Sequence, residues 1–334
     1  MTVPSATDTS TSTAICPFCT GNATRNHGVA VDESGSRFPL KQCGDCGTGF
    51  LSPPPSDAEL TRAYATSYYG EGDTKFGGAI ERLRDFAAAG RARNLVRGLP
   101  GRARALDVGC GDGRFLRWLG KQHAGLELHG IELPGPAAER AARVPGLVLH
   151  SGTLNTTNFE DASFDVISLV HVIEHLPDPA AALDRLVRWL RPGGRLFLAF
   201  PNFESWQATW FGTDWFHLDP PRHLTLVPPR SVIRRMQTSG LKLIHQRHWC
   251  PEQNLFGWIQ SALNACDRHR NFLYERLKRN RGYHAERTIA PAVHLAAAAA
   301  LTIPSLLLDA AAAAFRSGAT VELTFQKSPS DHVS

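Results

Sequence analysis

Short apolar runs alternate with helical stretches through the middle of the chain. The runs at 104–108, 126–132, 147–150, 164–170 and 195–200 are bounded by glycine, proline or acidic residues, and they predict strands buried on both faces. Between them, 114–120 and 179–190 have helical spacing, the second closing at Arg191-Pro-Gly-Gly194, a helix stop. A further helix is predicted over 79–97. The alternation specifies an α/β class with a doubly wound sheet. Ligands in such sheets lie beyond the C-terminal strand ends, which gathers Asp107, Glu132, Gly152-Thr153-Leu154 and Val170-His171 around one crevice.

The flanks read differently. Residues 1–12 are Ser/Thr-rich and are expected to be a disordered tail. Residues 13–52 carry Cys16-Pro-Phe-Cys19 and Cys43-Gly-Asp-Cys46, with 23 residues between the pairs and a hairpin expected at Ser34-Gly35-Ser36. Two C-x-x-C turns can bring four thiolates into the tetrahedron of structural zinc, so Cys16, Cys19, Cys43 and Cys46 are expected to ligate one ion in a zinc-ribbon-like module. A module this small has almost no core of its own, so the metal would supply its folding energy. Residues 53–100 form a connector. It opens with the capping-box pattern Ser56-Asp-Ala-Glu59 and contains Tyr64, Tyr68 and Tyr69. Helix packing accounts for Tyr64 and Tyr68, whereas Tyr69 is expected in a lid over a cofactor. Seven arginines against two acids between Glu81 and Arg104 are expected to form a solvated helix face.

With 334 residues, the chain can bury a full α/β core and a second small module, and its net charge of +5 permits an anionic partner without calling for one. The seven cysteines, an odd number, argue for a reducing cytoplasm and metal ligation rather than a disulfide framework. No apolar run follows the start Met, so secretion is not expected.

The chemistry centres on Ala105-Leu-Asp-Val-Gly-Cys-Gly-Asp-Gly-Arg-Phe115 and Glu132: strand, glycine turn, helix start, then a second strand ending in a carboxylate. A dinucleotide loop needs G-x-G-x-x-G so that backbone N–H groups meet a pyrophosphate. Here the glycines are Gly109, Gly111 and Gly113, and Asp107 and Asp112 would repel phosphate. The pattern suits a cationic, phosphate-free ligand such as S-adenosylmethionine, whose ribose diol Glu132 could bind.

The segments LDVGCGDG, GIELPG, SGTL, FDVISLVHVIEHLPDP and LRPGGRLFLAFPN resemble the ordered motif series of class I S-adenosylmethionine-dependent methyltransferases over roughly residues 101–250. The ribbon ending in CGDCGTGFLSPPPS, the YYG after it and WFHLDPPRHLTLVPPRSV resemble a bacterial subgroup often associated with glycan and secondary-metabolite methylation. The resemblance implies a seven-stranded Rossmann-like sheet, with Leu241–Trp249 and Ala319–Lys327 as its closing antiparallel hairpin. The helical insertion at 251–317 then precedes the final strand at 318–328, with a tail at 329–334. It further implies that Asp107 and Gly109 hold the methionine end, that Cys110 is among the cofactor-binding positions and that Gly111 allows close approach of the cofactor. Glu132 would take the ribose, Leu133, Thr153 and Leu154 would contact adenine, and Val170 and His171 would lie near the methyl group.

His171-Val-Ile-Glu174-His175 also reads as the inverted zinc-peptidase pattern H-x-x-E-H, but Pro177 follows at once and no long helix carries it. Related quinone-pathway O-methyltransferases have an acid-rich version of this segment that is associated with a divalent ion; for this chain Glu174 and His175 are expected to anchor the loop. After the fifth strand, Trp206, Trp210, Phe211, Trp215 and Phe216 suggest an apolar wall for the acceptor. His217, His223 and His171, in that order, are the candidate general bases.

Within 251–317, seven Lys/Arg between Arg268 and Arg287 precede an Ala/Leu-rich stretch at Ile289–Phe315. Its length would span a bilayer, but Pro291, Pro304 and the alanine content argue against a span. A helical hairpin packed on the core or on another subunit is expected first, and contact with an anionic membrane second. The expected activity is methyl transfer to a small-molecule or glycan-type acceptor, most readily at oxygen, in the cytoplasm or at the inner membrane face. The alternatives are an RNA methyltransferase, a sugar C-methyltransferase and a non-catalytic scaffold. Scattered basic residues and the lack of a base-methylation motif after the fourth strand argue against a nucleic-acid partner.

Overall fold

The computed structural model describes residues 14–64, 78–267, 270–278 and 291–329. Its centre is a seven-stranded sheet. Strands β4 (Ala103–Val108), β5 (Leu126–Glu132), β6 (Leu147–Ser151), β7 (Phe164–Val170) and β8 (Leu190–Pro201) run parallel, and β11 (Thr320–Lys327) lies antiparallel between β8 and β10 (Leu241–Arg247). The order is β10-β11-β8-β7-β4-β5-β6.

Side chains alternate between the two faces along each central strand. Leu196, Leu198 and Phe200 of β8 join Leu106, Ile167 and Phe325 in one buried cluster, while Phe197 and Ala199 join Ala105 and Val166 in the other. Helices cover both sides, which is why these strands read as continuous apolar runs. The second face is covered by α2 (Gly78–Val96) and α3 (Arg114–Gln122), which supply Ala92, Leu95, Leu116 and Leu119. In chain order, α1 (Asp57–Ala63) precedes these two, and α4 (Pro136–Ala141) follows them. The first face takes Leu183, Leu186 and Trp189 from α5 (Pro179–Trp189).

The strands and helices lie within a few residues of their expected bounds. One difference is at the helix stop. Strand β8 already begins at Leu190 and runs through Pro192-Gly193-Gly194, while Lys327 Nζ donates to the carbonyls of Val187 (2.7 Å) and Leu190 (2.8 Å). A cation from the last strand thus satisfies the open C-terminal end of α5.

The N-terminal strands β1 (Thr24–Val31), β2 (Arg37–Cys43) and β3 (Gly49–Leu51) form an antiparallel ribbon, with its turn held by Asp32 accepting from the Ser34 and Ser36 amides. The ribbon is not free-standing. Strand β9 (Thr225–Leu226) pairs with β3 as the fourth strand, and Phe18 and Phe50 enter the main core beside Val227, Val232 and Met236. The last two of these belong to α7 (Pro229–Thr238), which follows the short α6 (Trp206–Phe211).

The insertion between β10 and β11 holds α8 (Pro251–Cys266), α9 (Phe272–Leu277) and α10 (Pro291–Ala314). Helices α8 and α10 pack together: Ile259 and Leu263 form a cluster with Ala297, Ala298 and Leu301. The arginine-rich helix α2 is not wholly the solvated face expected of it. Arg91 is buried, paired with Glu252 of α8 and with Glu322 of β11 (2.5 Å to the latter), and so joins the connector to the insertion.

Candidate active site

The glycine turn leaves β4 and enters α3. Gly109 takes φ +66° and its Cβ position lies 2.6 Å from Val172, so only glycine fits there. Gly111 takes φ +58° and has nothing within 4 Å of its Cβ position, which leaves the space over the turn open for a ligand. Glu132, at the end of β5, accepts from the Gly111 amide (2.7 Å) and from its neighbour Leu133 (3.1 Å). Asp107 is 3% exposed and accepts from Ser168 Oγ at 2.6 Å. Burial pushes the Asp107 carboxyl up to about 7 against the Ser168 hydrogen bond, and burial also raises Glu132. Two buried carboxylates short of a cation, beside an open glycine turn, fit the ammonium end and the ribose hydroxyls of S-adenosylmethionine.

The other expected cofactor residues divide. Leu133 is half-exposed beside the turn, and Val170 ends β7 at the same edge. Thr153 is exposed and caps its own turn with Thr156, whereas Leu154 is buried in the core, its carbonyl accepting from Arg185. Cys110 turns its side chain inward. Its side chain is packed into the core, 2.7 Å from the Cβ position of Gly130, and its amide already donates to Ile131, so its thiol does not line the loop. Tyr68 and Tyr69 lie outside the described residues.

Beyond the end of β7 the chain assembles a histidine cluster around one carboxylate. His171 adopts φ +55°, a strained conformation for a side-chain-bearing residue, and its Nδ1 lies 3.3 Å from Glu174 Oε1. Glu174 is 2% exposed. Burial disfavours its charge, but the close His171 imidazole and the other histidines around it outweigh that and hold it down at about 2. His223 Nε2 lies 4.0 Å from Glu174 and 3.9 Å from Asp219.

The remaining hydrogen bonds fix the tautomers. His223 Nδ1 donates to the His217 carbonyl (2.7 Å), and His175 Nδ1 donates to the Arg222 carbonyl (2.9 Å), with the Tyr64 hydroxyl 3.0 Å away. In its neutral form each ring then carries its lone pair on Nε2. Glu174, His175 and His223 offer ligand atoms within 4.8 Å of one another, a set able to take a divalent cation.

All three expected bases are thus gathered here, in different settings. His217 is buried, its Nε2 has no hydrogen-bond partner among the described residues, and burial pushes its pKa down to about 3. His223 is at the edge of burial, while the His171 side chain is 25% exposed.

Sequence reasoning passed over Glu174 as the hub and over Asp219 and Arg222 as its supports. Arg222 is buried and binds Asp219 (2.5 Å), Glu33 of the ribbon (3.1 Å) and the Ala63 carbonyl (3.2 Å). The signal available was the density of ionisable residues in His217–His223.

The five aromatics after β8 do not line one wall. Trp206 packs on Phe315, Trp210 and Phe211 on Trp258, and Phe216 on Phe256 and Tyr274; Trp215 is buried against Phe203. All but Trp215 thereby join the insertion to the core.

In the ribbon, the Sγ atoms of Cys16 and Cys46 are 3.6 Å apart, as are those of Cys19 and Cys43, and all four lie within 4.8 Å of one another. Tetrahedral zinc with bonds of about 2.3 Å spaces its thiolates about 3.8 Å apart, so the four cysteines fit that ion.

Residues 79–246, half of the chain, match the family described as a methyltransferase domain. Over 109 residues the chain is 39% identical to the ubiquinone biosynthesis O-methyltransferase of Xylella fastidiosa, covering 30% of this chain and 42% of that one. It is 37% identical over 106 residues to an uncharacterised 37.1 kDa protein of a Streptomyces fradiae transposon, covering 30% and 31%. The chain thus spans less than half the length of these relatives. Among solved structures, geranyl diphosphate methyltransferase in complex with S-adenosylmethionine aligns with a TM-score of 0.49 at 16% identity, covering 74% of this chain and 86% of that one.

Proposed function

Because this chain belongs to the methyltransferase-domain family, we propose that it uses S-adenosylmethionine to methylate a hydroxyl oxygen of a small-molecule or glycan-type acceptor, with His171 receiving the hydroxyl proton. The observation that carries the reading is the pair of His171 with buried Glu174, 3.3 Å apart, beyond the strand end beside Asp107. A carboxylate behind Nδ1 orients the imidazole and stabilises its protonated form, leaving Nε2 to face the acceptor. The partial exposure of His171 favours it over His217, whose depressed pKa makes it a poor proton acceptor. The relatives named as O-methyltransferases favour oxygen as the accepting atom.

When bound, the cofactor supplies a methyl group activated by the sulfonium for in-line displacement. Asp107 would hold its ammonium group and Glu132 its ribose hydroxyls, with the open turn at Gly111 leaving room for close approach. His171 Nε2 takes the proton as the carbon–oxygen bond forms. Calorimetry with S-adenosylmethionine, followed by methyl-transfer assays on phenolic and glycosidic hydroxyls, tests this. Wild type is expected to bind and turn over, and His171→Gln to bind within a few-fold while losing turnover. Folded protein that does not bind the cofactor overturns the reading.

The four cysteines of the ribbon are assigned, in the same proposal, to one structural zinc ion. All four are needed to close the site, so it contributes stability rather than chemistry on a substrate.

A further inference from the structure

Helix α10 is built inside out for a helix in water. Its polar side chains face the protein: His294 is 3% exposed and pairs with Asp267 (3.1 Å), and Ser305 and Asp309 are 4% and 0% exposed. Its exposed positions are apolar throughout, with Val293, Leu295, Ile303, Leu306 and Leu307 the largest. Ile303 is 70% exposed and Leu307 68%. Just past the C-terminal end stand Phe315 and Arg316, both exposed, and Trp206, which packs on Phe315, stacks on exposed Trp210.

A surface helix facing water turns polar residues outward. One that turns every exposed position to apolar side chains over 24 residues, about 36 Å of helix, is matched to an apolar medium. Because its inner face is packed on α8, which is itself packed on the core, the helix lies along the domain and does not leave it.

Charge decides which medium. No acidic side chain stands on the exposed face among the described residues, and Arg316 ends it. Before α10, Arg270 pairs with Asp214 and Lys278 is buried against Glu275, while Arg276 of α9 is exposed on the short helix whose Phe272 packs on His294 of α10. A second copy packed antiparallel on this face would bring Arg276 of one chain toward Arg316 of the other, and among the described residues the exposed face carries no acid to offset them. An anionic lipid surface receives both the apolar face and the cations, with aromatic side chains at the boundary.

We propose that the outward face of α10, from Val293 to Phe315, docks in the plane of an anionic membrane surface, its apolar side chains reaching the acyl boundary.

Flotation of the full chain with phosphatidylcholine vesicles, with and without phosphatidylglycerol, tests this. Wild type is expected to float with the anionic vesicles at low salt and less with the neutral ones. Ile303→Glu/Leu307→Glu is expected to reduce the floated fraction by at least about tenfold, because carboxylates disfavour the acyl boundary and are repelled by anionic headgroups. Equal melting temperatures and equal solution masses of the two proteins keep the comparison to the surface itself. Three results would overturn the proposal: no flotation of wild type at low salt, flotation that the two glutamates leave unchanged, or a dimer that they dissociate without any vesicle binding.

Discussion

Gly257 of α8 lies against the ring of His217: a Cβ there would sit 2.8 Å from Nε2 and 2.5 Å from Gln207 Oε1. Both neighbours are buried, and the His217 carbonyl holds His223, so neither can yield without moving the cluster. Helix propensity alone predicts that Gly257→Ala stabilises by about 1 kcal/mol. Overpacking costs about 1–3 kcal/mol and is expected to win. Urea unfolding should show a net loss, and the double variant Gly257→Ala/His217→Ala should be less destabilised than the two single changes combined. A more stable Gly257→Ala would show that this contact gives way easily.

If Asp107 holds the cofactor's ammonium group as proposed, cofactor binding is predicted to depend on pH. Buried at a pKa of about 7, it is largely protonated below neutrality in the free protein, yet it must be ionised to hold an ammonium group. Binding should therefore release a proton, with affinity rising as pH climbs toward about 7 and levelling above it. The effect on stability has the opposite sign: a raised carboxyl favours the ligand-free fold, fully so below its unfolded pKa, and that contribution is lost as pH rises through about 7. Part-buried His175 and buried His217, held neutral down to about 4 and 3, lose stability as pH falls below their unfolded value, so the two trends cross and binding is the cleaner readout. Calorimetry in buffers of different ionisation enthalpy measures the proton. Asp107→Asn should bind roughly tenfold or more weakly and with a flat pH profile; a retained slope would place the titration elsewhere.

The Glu174–His171 pair predicts an asymmetric set of kinetic losses. His171→Gln and Glu174→Gln should each lower kcat by roughly 100-fold or more, as removal of a general base or of its orienting carboxylate does. His217→Gln, changing a ring that is neutral and buried, should cost less. If His217→Gln is the most damaging of the three, the proton goes to His217 instead.

Much of this was legible in the chain because it is local. Strands buried on both faces announce themselves as apolar runs, and the turn at Gly109–Gly113 carries its acids within a few residues. The histidine cluster was legible in kind but not in arrangement. It joins 171–175 to 217–223 through backbone carbonyls that no side-chain pattern reveals. Gly257 was hidden because a helical glycine looks like a defect until its neighbour is known. The aromatics of 206–216 were misread because stacking on an insertion and lining a pocket call for the same residue types. The outward face of α10 was unreadable for a similar reason: alanine surrounds the helix, and only its few polar residues show which side turns inward.

The ribbon is predicted to act on the site through a single strand. Leu51 at the end of β3 donates to the Leu224 carbonyl (3.1 Å), and the Leu224 amide donates to the Glu174 carbonyl (2.8 Å). Arg222 adds a second tie through Glu33, and Ser231 Oγ binds the Cys46 carbonyl (2.7 Å). The cofactor turn shares none of these bonds. If one zinc ion closes the four thiols, its loss should release β3, free Leu224 and let Glu174 shift. Turnover should then fall roughly tenfold or more while cofactor affinity changes less than about threefold, since a small misplacement of a catalytic group is costly and the Asp107–Glu132 cradle is untouched. Elemental analysis should find about one zinc per chain, and Cys16→Ser should reproduce the effect of chelation with a lowered melting temperature. Protein that is folded and fully active without metal would separate the ribbon from the chemistry.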